Sequence, residues 1–108
     1  MAAAKKIKIP QLSGREIRHL RGLGHHLTVL GMIGKEGITA NLIKSVQDNL
    51  QAHELVKIRI QDTCTLDRAQ AVAELATAAG AAVVQILGKT ALIYRPNPDL
   101  DEEHKISF

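Results

Sequence analysis

Apolar positions along the chain follow two periods, and the switches between them divide it into elements. Ile17, Leu20, Leu23 and Leu27 fall on one side of a helix, with Arg15, Arg18, Arg21 and His25 roughly opposite. Ser13, followed three positions on by Glu16, makes a capping box for its start, and Gly24 marks its end. Leu27–Ile33 is apolar with β-branched members, which predicts a central strand buried on both faces. Gly34-Lys35-Glu36-Gly37 then forms a loop, and Thr39 caps a helix running to about Ala52 with Leu42, Ile43, Val46 and Leu50 inward. In Leu55–Ile60 the apolar Val56, Ile58 and Ile60 alternate with Lys57 and Arg59, predicting a strand with one packed and one solvated face. Thr65 or Asp67 opens an Ala-rich helix that ends at Gly80, and residues 83–87 and 91–94 form a hairpin around Gly88-Lys89.

The order is therefore α-β-α-β-α-β-β. Strands alternating with helices imply right-handed parallel crossovers, and the closing hairpin adds an antiparallel strand. The expected class is α/β, a two-layer domain with a mixed four-stranded sheet. Its body spans residues 12–98, between a flexible basic arm (1–11) and an acidic tail (99–108).

Length and composition narrow the function. A chain of 108 residues with 45% apolar content supports one domain with a modest core. With one Tyr, one Phe and no Trp, that core is aliphatic, and the sheet-surface aromatics on which the common RNA-binding modules stack single-stranded bases are absent. The single cysteine fits a reducing compartment, and neither a secretory leader nor an 18-residue apolar run is present, so the cytoplasm is the expected location. Residues 1–21 carry six Lys/Arg against Glu16 alone, and without residues 99–108 the net charge rises from +3 to +6. A basic body of this kind favours a polyanionic partner.

Anion chemistry centres on the Gly34–Gly37 loop. A strand that delivers a glycine-flanked turn to a helix N-terminus offers backbone N–H groups to a phosphate, and glycine at both ends permits positive φ and close approach. It is not a nucleotide P-loop: that motif needs glycine at position 29 and Ser or Thr at 36, where the chain has Val29 and Glu36. Gly88-Lys89-Thr90 fails likewise, with Val83 upstream and a strand following. The five histidines lack metal-ligand spacing, Cys64 has no second cysteine, and no serine sits in a nucleophile motif, so neither metal, cofactor nor catalysis is expected.

Four segments in order carry a resemblance: Leu20-Arg21-Gly22-Leu23-Gly24-His25, Gly34-Lys35-Glu36-Gly37-Ile38-Thr39, His53-Glu54-Leu55-Val56-Lys57, and Gly88-Lys89-Thr90 through Arg95-Pro96. Together they resemble the CRM domain (chloroplast RNA splicing and ribosome maturation) in its bacterial single-domain, YhbY-like form. The resemblance covers about residues 12–96. It implies an RNA-binding domain whose fold is similar to the C-terminal domain of translation initiation factor three. It further implies association with rRNA in precursors of the large ribosomal subunit, as an assembly factor.

On this reading the RNA-binding residues are Arg15, Arg18, Arg21 and His25 on the first helix, Gly34, Lys35, Glu36, Gly37 and Thr39 at the loop, Lys89 in the hairpin turn, and Arg95. Arg95 either reaches phosphate or caps the sheet, and Tyr94 packs inside. Glu36 is acidic where a phosphate would favour a cation, so the contact is assigned to Lys35 and the backbone between the glycines, with sequence choice left to RNA shape. The competing class is a small protein-interaction adaptor using the sheet face or the acidic tail.

Overall fold

Local signals set the helix boundaries. Ser13 Oγ accepts the Glu16 N–H at 3.1 Å, and the Glu16 carboxylate accepts the Ser13 N–H at 3.0 Å, which starts α1 (Gly14–Gly24). Thr39 Oγ1 accepts the Leu42 N–H at 3.1 Å and starts α2 (Ala40–His53). Asp67, not Thr65, caps α3 (Arg68–Ala79), which Gly80 ends in the left-handed conformation. Between them run β1 (Val29–Ile33), β2 (Leu55–Ile60), β3 (Ala82–Leu87) and β4 (Thr90–Tyr94). This is a computed structural model describing residues 9–108. Most of the proposed basic arm, including Lys5, Lys6 and Lys8, lies outside the described residues.

The sheet order is β1-β2-β4-β3, with β1 and β2 parallel and the other pairs antiparallel. The expected α/β class, element order and mixed four-stranded sheet are all present. Leu27–Ile33, however, is not a central strand: only Val29–Ile33 is extended, at the sheet edge, with Leu30 39% and Met32 54% exposed. The reason lies at the other end of the chain. The β2-α3-β3 crossover leaves a one-strand gap, and the hairpin returns β4 into it, so the centre belongs to Ala91–Tyr94, buried at every position. A short apolar run looks the same at an edge as in the middle, so pattern alone does not assign the place.

Both faces of the sheet are packed. Ile33, Val56, Ile58, Ala91 and Ile93 meet Val46 and Leu50 of α2 and Val72 and Leu75 of α3. On the opposite face Leu55, Leu92 and Tyr94 meet Leu20 of α1. Alternate residues of β4 thus serve separate clusters, as the period of two requires. The domain therefore has three layers where two were expected. The Lys57/Arg59 face, expected to be solvated, is solvated only beyond the cover of α1. Leu23, placed on the buried stripe of that helix, is 37% exposed.

The acidic segment folds back on the body. Glu54 is 3% exposed. Its Oε2 accepts the Asn97 N–H at 2.6 Å and its Oε1 accepts the Ile106 N–H at 2.7 Å. Ile106 packs on the α1 cluster, and the Phe108 ring stands edge-on to Tyr94 at 5.9 Å between centroids. Glu54 ends α2 with φ 65° and ψ −35°, a positive-φ conformation that a residue with a Cβ rarely adopts, held in place by these bonds.

Candidate nucleic-acid interface

Gly34–Gly37 is a tight turn at the end of β1. The Gly37 N–H donates to the Gly34 carbonyl at 3.0 Å, which closes the turn and puts Lys35 and Glu36 at an exposed tip. Gly37 has φ 70° and requires glycine, whereas Gly34 does not use positive φ. A Cβ at Gly34 would stand 2.7 Å from Gln61 Oε1, the end of an exposed side chain that can turn aside, and 3.9 Å from Thr63 Oγ1, an ordinary contact. Of the backbone donors expected at the loop, the Gly37 N–H is spent on the turn and the Leu42 N–H on Thr39. Those of Lys35, Glu36 and the first residues of α2 have no acceptor among the described residues. They lie at the positive end of the α2 dipole.

The β2–α3 loop faces the turn, held there by the Gln61 N–H donating to the Ile33 carbonyl at 2.9 Å. A cleft of about 400 Å³ opens between them, bounded by the turn, Gln61 and Thr63, with Met32 and Leu42 as apolar lining. Beyond the same loop a second hollow of about 310 Å³ is shared by Arg59, Asp62 and Lys89. Lys89 is not a free cation: its Nζ contacts Asp62 Oδ1 at 2.5 Å. That hydrogen bond and the Lys89 charge, aided by Arg68 and Arg59, hold the Asp62 carboxyl below the ordinary carboxylate range. Arg68 Nη1 donates to the Gly88 carbonyl at 2.9 Å, fixing the hairpin turn against α3.

Arg15, Arg18, Arg21 and His25 are all exposed on α1. Arg21 and His25 share a surface hollow with Lys57, Leu87 and Thr90, toward the end of the sheet that carries the turn. Lys57 Nζ contacts the Gly24 carbonyl at 3.5 Å, a cation at the carboxyl end of the helix. Lys57 thus joins the cationic surface of α1, and Arg59, two positions on along the same strand face, lies with Asp62 and Lys89, although alternation alone makes both only a solvated strand face. The alternation in Leu55–Ile60 does place them together; what it lacks is the position of α1.

Arg95 lies apart from the turn. Tyr94 pairs with Leu55 at the start of β2, whereas Thr90 pairs with Arg59 near its end, so Arg95 and Lys89 mark opposite ends of the sheet. Arg95 Nη1 donates to the Ala79 carbonyl at 3.3 Å and so caps α3. The structure brings Gly34, Lys35, Glu36, Gly37, Thr39 and Lys89 to one end, spreads Arg15 to His25 along α1, and leaves Arg95 at the other. Tyr94 is 5% exposed and packed as expected, with burial and the Glu54 charge pushing its hydroxyl up to about 12. Among the described residues no group of three His, Cys, Asp or Glu side chains is placed to hold a metal, and no helix is long and apolar enough to cross a membrane.

The profile of the CRS1/YhbY (CRM) domain matches residues 12–95. The chain is 32% identical over 88 residues to "Probable RNA-binding protein YqeI" of Bacillus subtilis, covering 82% of this chain and 92% of that one. It is 30% identical over 97 residues to an RNA-binding protein of Haemophilus influenzae, covering 90% and 94%. The solution structure of a hypothetical protein of Staphylococcus aureus superimposes with a TM-score of 0.73 at 31% identity, covering 90% of this chain and all of that one.

Proposed function

The chain belongs to the CRS1/YhbY (CRM) domain family, and from that premise we propose that it is a non-catalytic RNA-binding protein of the cytoplasm that binds rRNA in precursors of the large ribosomal subunit. One observation carries the reading. An exposed turn with unpaired N–H groups at the N-terminus of α2 presents Lys35 at its tip, and cationic surface continues from it through Arg59 and Lys57 to Arg21. Phosphates are held by the turn backbone, Lys35 and the α1 arginines, contacts that fix register without reading sequence. The ribosomal target rests on the resemblance to the single-domain bacterial form, and the RNA partner is supported by the names of the relatives.

The test is binding of large-subunit rRNA fragments at several salt concentrations. Replacing Arg15, Arg18 and Arg21 together by Ala lowers affinity and flattens the log–log salt slope, by about 0.7–0.9 for each phosphate no longer neutralised. Unchanged affinity and slope in a folded triple variant refute the assignment. A second reading, a protein adaptor, has one observation of its own: a groove of about 590 Å³ lined by Leu23, Leu27, Leu30 and Ile106. Gradient fractionation of a lysate separates the two. Co-migration with large-subunit precursors that ribonuclease abolishes fits RNA binding, and a complex that survives ribonuclease fits the adaptor.

A further inference from the structure

The cleft beside the phosphate turn is shaped for more than a phosphate. The amide end of the exposed Gln61 side chain lies over Gly34, its Oε1 2.7 Å from where a Cβ would stand. The Gln61 amide nitrogen donates to Met32 Sδ at 3.4 Å, a weak acceptor, and Gln61 Oε1 has no donor among the described residues. Thr63 Oγ1 points to the same spot, also without a partner among the described residues. An amide that both donates and accepts, and a hydroxyl that does the same, thus converge at the mouth of a cleft of about 400 Å³. Its apolar lining comes from Met32, 54% exposed, and the half-buried Leu42. A flat heteroaromatic ring with donors and acceptors on its rim has these requirements, and phosphate does not.

We infer that this cleft receives one unpaired nucleobase of the bound RNA, which stacks on the Met32 thioether and is read at its edge by Gln61 and Thr63. The inference rests on the turn holding an RNA phosphate; the base attached beside that phosphate turns into the cleft while the Gln61 amide leaves Met32 for the base edge. A paired base has its Watson–Crick edge occupied and is held in a stack, so the site selects single-stranded RNA. The apolar lining comes from a thioether and a leucine in place of the aromatic rings that usually stack bases. Gln61 is then the residue that sets base preference, while Lys35 and the turn set affinity.

Fluorescence anisotropy with four short single-stranded RNAs of equal length, one homopolymer for each base, tests this. The wild-type protein is expected to favour one base over the least favoured by roughly tenfold, within the range of a specific pair of hydrogen bonds to a base edge. Gln61→Ala, a change at an exposed position, reduces that spread to about twofold and leaves the salt slope intact. Lys35→Ala weakens all four RNAs alike and lowers the slope. Equal wild-type affinity for the four homopolymers overturns the inference while leaving phosphate binding standing, and so does a Gln61→Ala protein that keeps the full preference. A wild-type protein that binds large-subunit rRNA fragments but none of these RNAs overturns the inference alone, and one that binds neither overturns both readings.

Discussion

Glu54 gives the sharpest test of how the fold is closed. Both carboxylate oxygens accept backbone N–H groups, from Asn97 at 2.6 Å and Ile106 at 2.7 Å, in a site only 3% exposed. Gln is the same size but offers one oxygen and one N–H₂ group. In Glu54→Gln one of the two backbone donors must therefore face another donor. Losing one charge-assisted bond and leaving a buried N–H unpaired costs about 2–4 kcal/mol. That is a large part of the roughly 5–15 kcal/mol typical of a domain, but it leaves a folded protein to measure. Urea unfolding followed by circular dichroism should show the midpoint falling by roughly 1–4 M with the slope unchanged, taking a slope of about 1–2 kcal/mol/M. Hydrogen exchange should locate the damage at the Asn97 and Ile106 amides. Glu54→Gly separates the two roles of the residue, because it removes the carboxylate but relieves the backbone at φ 65°, offsetting about 1 kcal/mol of the loss. If Glu54→Gln unfolds within about 0.5 kcal/mol of wild type and both amides stay protected, the reasoning is wrong.

Three further outcomes follow from other sites. Gly24→Ala would drive a Cβ into Leu92 Cδ1 and put it 2.8 Å from Cδ2, so overpacking between α1 and the sheet should cost about 1–3 kcal/mol and lower Tm by about 4–8 °C per kcal/mol; an unchanged melt contradicts the close approach. The single tyrosine makes a clean titration: its folded pKa, near 12, lies above the ordinary value of 10.0, so the stability it lends is intact below pH 10.0 and is lost as pH rises toward 12. Tyrosinate absorbance with a midpoint at the ordinary value in the folded protein would show Tyr94 to be solvated. Lys89→Ala should raise the Asp62 pKa toward 3.8, read from its carboxyl carbon by NMR, and should lower RNA affinity less than Lys35→Ala does, because Asp62 already holds the Lys89 charge.

Much of this architecture is legible in the sequence because it is local. The Ser13 capping box, the Thr39 cap and the Gly80 stop each depend on a few neighbouring residues, and each helix begins and ends where those residues direct. Strand order is not legible, because Leu27–Ile33 and Ala91–Tyr94 are equally apolar, and the choice of centre is made by the β2–β4 and β3–β4 ladders between distant segments. The Gly34–Gly37 turn and the cationic stripe can be read directly. Gln61 cannot, since a glutamine after a strand carries no signal until the fold lays it over Gly34. Glu54 reads as a helix end; its buried carboxylate depends on amides 43 and 52 positions away.

The strand at the middle of the sheet is also the last to be synthesised. As the chain leaves the ribosome, β1 and β2 can pair, but the other edge of β2 stays open until Thr90–Tyr94 emerges, and Glu54 has no second donor until residue 106. Nonlocal closure of this kind comes late in folding. A chain interrupted before Thr90 lacks the centre of the sheet and not merely an edge. Such a fragment cannot assemble the finished surface, so aborted synthesis yields an unfolded product for proteolysis and not a half-competent competitor for the same RNA.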